Sequence, residues 1–205
     1  MNKEKIVIIG AGGHTRSLLT LIDPDKYDIY GIYDDSFSSI NQEVISSVPV
    51  RGKIKDIPEG YSMVIASGNL DVKKAFLSSF PHRLTDSNFI HSSAIIEKNV
   101  LLGNRNQFFA GTIVNAYSQI GDDNIINSGA IIEHEAQIGD HNHISVGTVL
   151  CGRTKIGNHC FIGASAVIID GIKLGNDIII GANSVVIKNI LEPGTYVGSP
   201  AKKIK

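Results

Sequence analysis

The stretch IIEHEAQIGDHNHI, residues 131–144, sets His134, His141 and His143 among Glu133, Glu135 and Asp140. An imidazole with an ordinary pKa of about 6.5 accepts a proton near neutral pH, and a carboxylate on its other ring nitrogen fixes the tautomer and stabilises the imidazolium. His134 with Glu135 is such a pair, suited to a nucleophile that must lose a proton as its new bond forms. The plainer alternative is a surface histidine on a turn. His141 and His159 stand eighteen residues apart and could pair, but the expectation is that they face solvent.

A second group lies at the amino end, where GAGGH (10–14) follows an apolar run and Asp34 and Asp35 come a little over twenty residues later. Backbone N–H groups at a strand-to-helix turn favour an anionic or polar ligand, and an acid pair ending the next strand suits a ribose or base contact. Gly10 and Gly12 fit the first two places of a dinucleotide fingerprint, but Thr15 stands in the third. With too few strands for a complete cofactor domain, an enzyme using a nicotinamide cofactor is disfavoured. A tight turn capped by the acid pair is the alternative. Cys151 and Cys160 are too few for a disulfide framework and read as spacers.

The elements that must hold these residues fall into two regions. In residues 1–85, KIVIIG (5–10), YDIYGIYDD (27–35) and YSMVIASGN (61–69) read as strands, and HTRSLLTLI (14–22) and LDVKKAFLSSF (70–80) as helices. That alternation predicts a small α/β, Rossmann-like domain with a parallel sheet. The stretch from Ser36 to Gly60 is polar and turn-rich and yields no clear element.

From residue 86 the pattern changes. Every sixth residue from Ile90 to Val186 is aliphatic or Phe, seventeen positions in succession, and small residues such as Ala130, Ala136, Thr148 and Ala166 recur four places after an anchor. Neither a helix period nor strand alternation keeps a six-residue register so long. A hexapeptide β-solenoid does, because each six-residue face buries one bulky and one small side chain before turning a corner. Three faces make a coil, so residues eighteen apart stack. The column through His134 reads Ala116, His134, Gly152, Asp170, and that through Glu133 holds Asn115 and Cys151. Asn127 lies about one face earlier than His134, and His143 about a face and a half later. Simple alternation from Ile132 would turn His134 inward; corner geometry decides the matter, and periodicity leaves it open. A tetrahedral intermediate needs a donor for its oxygen, and the backbone N–H of Gly152, one coil from His134, is the candidate.

The hexads, the GAGGH opening and the ending PGTYVGSPAKKI (193–204) together resemble the bacterial hexapeptide-repeat sugar acetyltransferases, the family of nucleotide-4-aminosugar N-acetyltransferases and sialic-acid O-acetyltransferases. The resemblance spans essentially the whole chain. It implies an all-β left-handed parallel β-helix after the α/β domain, a hand that the period alone does not give. It further implies a homotrimer with active sites between subunits, acetyl-CoA as cosubstrate and no metal. Carried over by position, the family's general base and its partner fall on His134 and Glu135. Its nucleotide-sugar contacts fall on Gly12, Gly13, His14, Asp34, Asp35 and Gly68, with Asn127 grouped among the substrate contacts. Its acetyl-CoA contacts fall on His143, Ala164 and Ala182. Lys202, Lys203 and Lys205 either meet coenzyme A phosphates or form a solvated tail. Thr15 and Arg16 depart from the family pattern and leave the base open.

The expected activity is transfer of acetyl from acetyl-CoA to the 4-amino group of a dTDP- or UDP-linked 4-amino-4,6-dideoxy sugar for a bacterial surface glycan. O-acetylation of a sialic-acid-like sugar is the competing reading. A zinc hydratase on the same fold needs three imidazoles at a spacing the repeats lack. A purely structural solenoid would not need the amino-terminal module. The formal charge of -1 and the pI of about 6.6, without any long run of like charge, favour a small-molecule partner over nucleic acid or a membrane surface. An apolar run of four residues before the first glycine is too short for a secretory signal, so a cytoplasmic location is expected.

Overall fold

The computed structural model describes residues 3–38 and 43–205; residues 39–42, part of the unassigned stretch, lie outside the described residues. The chain divides into two compact units, Met1–Asp86 and Ser87–Lys205.

The first unit is built on β1 (Glu4–Ile9), α1 (Gly13–Leu18), β2 (Tyr27–Tyr33), β3 (Val44–Ile45), β4 (Val48–Gly52), β5 (Ser62–Ile65) and α2 (Leu70–Ser79). The sheet order is β3-β4-β2-β1-β5, with β4, β2, β1 and β5 parallel and β3 antiparallel at the edge. The last four residues of β1, Ile6 to Ile9, are fully buried, as expected of a central parallel strand covered on both faces. Since β2 and β5 lie on opposite sides of β1, the carboxyl end of β1 is the switch point where open α/β sheets take ligands. α2 starts where the Asn69 side chain accepts N–H bonds from Asp71 at 2.9 Å and Val72 at 3.1 Å.

Two sequence expectations need correction here. The helix expected over 14–22 ends at Leu18. Thr20 and Leu21 bond to carbonyls three residues back, the Thr20 hydroxyl also takes the Ser17 carbonyl at 2.7 Å, and Pro24 keeps Asp23 from helical geometry. The stretch without a clear element holds the β3–β4 hairpin, turned by Ser46 and Ser47 at φ 48° and 70°. Both central residues are left-handed, as in a primed hairpin turn, but the Ser-Ser pair lacks the Asn-Gly or Asp-Gly signature of such turns.

The second unit is a left-handed parallel β-helix of two-residue strands, stacked into three sheets. The first sheet runs from Ile95–Ile96 to Val185–Val186, the second from Leu101–Leu102 to Lys173–Leu174, and the third from Phe89–Ile90 through Ile178–Ile180 to Gly194–Val197 and Lys202–Lys203. Strands pair in parallel at a register of eighteen, for example Ile131 with Val149 and Ile132 with Leu150. The anchors from Phe108 to Val186 are buried, and the small partners Ala130, Ala136, Thr148 and Ala166 are fully so. In the first coil Ile90 is 39% exposed; its strand pairs with Gln107–Phe108 and with no other strand among the described residues.

The corners explain the glycine that follows many anchors. At the corner from second to third sheet, a Cβ on Gly121 would lie 2.2 Å from Asp140 Oδ1 and 2.8 Å from the Gly139 carbonyl. That carboxylate accepts the Asp122 N–H at 2.8 Å, and the same bond recurs every eighteen residues through Asn158 and Asn176. Inside the corner, Asn88, Asn106, Asn124 and Asn142 form a second ladder, each side-chain oxygen accepting the N–H one coil on at 2.8 Å. Backbone groups that a tight corner would orphan are satisfied in this way. At the carboxyl end, Lys202–Lys203 pairs antiparallel with Gly194–Val197 and ends the third sheet.

Candidate functional site

His134 and Glu135 form the corner between the first and second sheets. Glu135 takes the left-handed conformation at φ 60°, as do Asn99, Tyr117, Arg153 and Gly171 at the same corner of other coils. This turn throws the His134 side chain outward, where it is 51% exposed, and so settles the direction that periodicity left open. His134 Nδ1 lies 3.1 Å from Glu135 Oε2. With the proton on Nδ1 donated to the carboxylate, Nε2 carries the lone pair, and it has no partner among the described residues.

Gly152 sits where the column map puts it. A Cβ there would fall 2.8 Å from His134 Cε1, 2.9 Å from Nε2 and 3.0 Å from Asp170 Oδ1, so only glycine leaves the ring its place. The Gly152 carbonyl accepts the Gly171 N–H at 2.9 Å, while its own N–H has no acceptor among the described residues. Asp170 Oδ2 is held by Arg153 Nη2 at 2.5 Å, and this carboxylate raises the Arg153 guanidinium above its usual value. Sequence reasoning noted Asp170 only as the end of a column and overlooked Arg153, seventeen residues before it.

Asn127, Ala164 and Ala182 gather at another corner, between the third and first sheets. Asn127 Oδ1 caps the turn by accepting the Ser128 N–H at 2.8 Å, and its Nδ2 approaches His143 Nε2 at 3.4 Å. His143 is buried, its ring edge-on to Phe161 with centroids 5.0 Å apart. Ala164 and Ala182 are stacked on adjacent coils, for a Cβ on Gly163 would meet the Ala182 nitrogen at 2.6 Å. This corner and the His134 corner bound opposite edges of the first sheet's face.

In the first unit, Gly10 at φ 105° closes the β1 turn against the Ala66 carbonyl, 2.9 Å from where its Cβ would lie. Thr15, which stands where the fingerprint has its third glycine, is fully buried and donates its hydroxyl to the Gly10 carbonyl at 2.6 Å. Gly12 and Gly13 begin α1 in open space, with His14 in its first turn and Gly68 between β5 and α2. Asp34 accepts the Ala11 N–H at 2.8 Å, the Ser36 N–H at 2.8 Å and the Ser36 hydroxyl at 2.5 Å. Burial alone would raise its pKa, but the Ser36 and Ala11 bonds outweigh it and hold the carboxyl below the usual Asp value. Asp34 therefore shapes the loop. Asp35 is exposed and accepts the Ile54 N–H at 3.1 Å through one oxygen.

Other singled-out groups have structural partners. His141 and His159, expected in solvent, stack with centroids 5.0 Å apart, and His141 Nδ1 lies 3.7 Å from the buried Asp123. Left-handed corners at residues eighteen apart superpose the two rings, which the expectation underweighted. Cys160 is buried, donates to the Gly175 carbonyl at 3.1 Å, and has its thiol pushed up to about 11 by that burial. Burial, with Glu133 and Asp170 nearby, likewise raises Cys151. Lys203 pairs with Glu192, while Lys202 and Lys205 are exposed. No cluster of three His, Cys, Asp or Glu able to hold a metal occurs among the described residues, and none of their helices is long and apolar enough to cross a membrane.

Two family models match the sequence, the PglD N-terminal domain over residues 5–80 and the hexapeptide repeat of succinyl-transferase over 153–188. No curated protein matches it. Among solved structures, PerB from Caulobacter crescentus in complex with CoA and GDP-perosamine is 30% identical, with a TM-score of 0.88 over 98% of this chain and 97% of that one. The acetyltransferase domain of PglB from Neisseria gonorrhoeae FA1090 in complex with acetyl coenzyme A is 25% identical, with a TM-score of 0.86 over 99% and 100% of the two chains. WeeI from Acinetobacter baumannii AYE, 22% identical with a TM-score of 0.85 over 98% and 100%, shares the fold.

Proposed function

We infer, from the premise that this chain belongs to the hexapeptide-repeat acetyltransferase family, homologous to the GDP-sugar and PglB-type N-acetyltransferases, that it transfers acetyl from acetyl-CoA to a nucleotide-linked amino sugar. The observation that carries this reading is an outward imidazole whose Nδ1 is held by Glu135 and whose Nε2 is open beside a side-chain-free corner at Gly152. The amine nitrogen attacks the thioester carbonyl carbon. As the N–C bond forms, the carbonyl electrons move to oxygen and the amine proton passes to His134 Nε2, with Glu135 steadying the imidazolium. The Gly152 N–H meets the oxyanion. Collapse of the intermediate breaks the C–S bond, and the departing thiolate takes the proton from Nε2.

The nucleotide is assigned to the β1 loop, with Gly12, Gly13, His14 and Gly68 around it, Asp35 as a direct contact and Asp34 as the group that sets the loop. Asn127 is assigned to the substrate, and His143, Ala164 and Ala182 to the acetyl-CoA path. The acceptor is a 4-amino-4,6-dideoxy sugar of a surface glycan. The carrier expected from the sequence is dTDP or UDP; the relative at 30% identity binds GDP-perosamine, which makes GDP a third candidate.

The first sheet's outer face supports the expected homotrimer. Its outward column, Ile95, Ile113, Ile131, Val149, Val167 and Val185, is aliphatic throughout and at least partly exposed, whereas the second sheet's column turns to Gln119, Gln137, Lys155 and Lys173. An apolar face of this length fits a second copy. A cyclic arrangement would also bring the His134 edge of one protomer to the Ala164 edge of the next. The test is thiol release from acetyl-CoA with a panel of GDP-, UDP- and dTDP-linked 4-amino sugars, with the mass in solution measured alongside. We expect turnover on one carrier, at least about 100-fold lower in His134→Ala. No turnover on any carrier, or full turnover in His134→Ala, overturns the reading.

A further inference from the structure

Two hydrogen-bond acceptors converge on one gap at the His134 corner. His134 Nε2 and Asp170 Oδ1 lie 2.9 Å and 3.0 Å from the point where a Gly152 side chain would begin, so their separation is at most the sum of those distances. Two hydrogen bonds of about 2.9 Å meeting at one nitrogen span such a gap. Neither atom is otherwise engaged among the described residues. Nδ1 is turned to Glu135 at 3.1 Å, and Asp170 Oδ2 to Arg153 at 2.5 Å, which leaves Nε2 and Oδ1 as the acceptors of the two groups beside Gly152. The Arg153 clamp fixes the carboxylate's direction from a corner that is itself in the left-handed conformation at φ 57°.

We propose that Asp170 is a specificity-determining residue that selects an amine over a hydroxyl acceptor by taking the second N–H of the attacking nitrogen. A neutral primary amine has two hydrogens and one lone pair. One hydrogen goes to Nε2, which removes it; the other goes to Asp170 Oδ1; the lone pair is left pointing away from both acceptors, toward the acyl carbon. A hydroxyl has a single hydrogen. With that hydrogen on Nε2, it turns a lone pair toward the Asp170 carboxylate, and a site built for a donor rejects an analogue lacking it. An amine arriving as an ammonium is drawn to the same carboxylate before it loses its first proton. The inference rests on the amino-sugar acetyltransferase reading and decides between N- and O-transfer within it.

The experiment compares the KM of the nucleotide 4-amino sugar with the inhibition constant of the matched sugar bearing a 4-hydroxyl, in wild type, Asp170→Ala and Asp170→Glu. Asp170 is 51% exposed, so loss of its side chain leaves the fold intact, as a thermal melt will verify. For Asp170→Ala we expect the KM of the amino sugar to rise about tenfold, the low end for a hydrogen bond to a charged group, since solvent competes at this exposure. The hydroxyl sugar's inhibition constant stays level or falls, the KM of acetyl-CoA stays level, and Asp170→Glu regains part of the discrimination. An unchanged ratio in Asp170→Ala, with wild-type turnover present, overturns the role of Asp170 alone. Absence of wild-type turnover on every amino sugar overturns the activity itself and this inference with it.

Discussion

Adding one methyl group at Gly152 should disable the enzyme without unfolding it. In Gly152→Ala the new Cβ would sit 2.8 Å from His134 Cε1 and 2.9 Å from Nε2. Carbon contacts rest at about 3.5–4.0 Å, so the ring must retreat by roughly 0.7–1 Å. A displacement of that size at a reacting group costs about 100-fold in rate, about 2.7 kcal/mol of barrier. The fold has little to lose, because the crowded atoms end exposed side chains and Gly152 does not occupy the left-handed region. Its stability should change by less than about 0.5 kcal/mol. Initial rates of thiol release at saturating acetyl-CoA and amino sugar, paired with a thermal melt, measure both effects. A turnover within threefold of wild type at an unchanged melting temperature would refute the placement of the reacting nitrogen beside Nε2.

The comparable change at Gly121 should do the reverse. There a Cβ meets the Gly139 carbonyl at 2.8 Å as well as Asp140 Oδ1, so Gly121→Ala should cost about 1–3 kcal/mol of stability, read by denaturant unfolding. Asp34→Asn should destabilise the protein at pH 7 and less at pH 3. The folded Asp34 pKa is depressed, so its stabilisation is present above the unfolded value of about 3.9 and is lost as pH falls through the lower folded value. Equal destabilisation at both pH values would contradict that origin. Asp35→Ala should raise the KM of the nucleotide sugar more than that of acetyl-CoA, and the opposite split would move the nucleotide elsewhere. Mixing inactive His134→Ala with an inactive Ala164→Trp variant, followed by refolding together, should restore activity if neighbouring protomers share a site; mixtures as inactive as their parents would place each site within one chain.

The solenoid was readable because its rule is short-range and repeated. An anchor every six residues and a stack every eighteen gave the buried set from Phe108 to Val186 and set Gly152 beside His134. What periodicity could not supply was direction. Whether His134 points in or out depends on the left-handed turn at Glu135, a conformation that nothing about a glutamate announces. The stacking of His141 on His159 and the Arg153–Asp170 clamp arise from the same corner geometry. In the first unit, β1, β2 and α2 had clear signals, while the Ser46–Ser47 hairpin and the early end of α1 turned on local hydrogen bonding that a hydrophobic pattern does not carry. Asp34 was recognisable as an acid at a strand end, but two donors of Ser36 and the Ala11 N–H of the β1–α1 loop claim it.

The asparagine and aspartate ladders that satisfy each corner from the next coil have a consequence for how such a chain can change length. Every rung takes its acceptor from a residue eighteen positions away, so dropping or adding a single amino acid would break the rung of each ladder that spans the change. Removing or duplicating one complete circuit would instead re-form every rung. Evolution, or an engineer, can therefore lengthen this prism by integral storeys, leaving the machinery on the floor that bears His134 undisturbed.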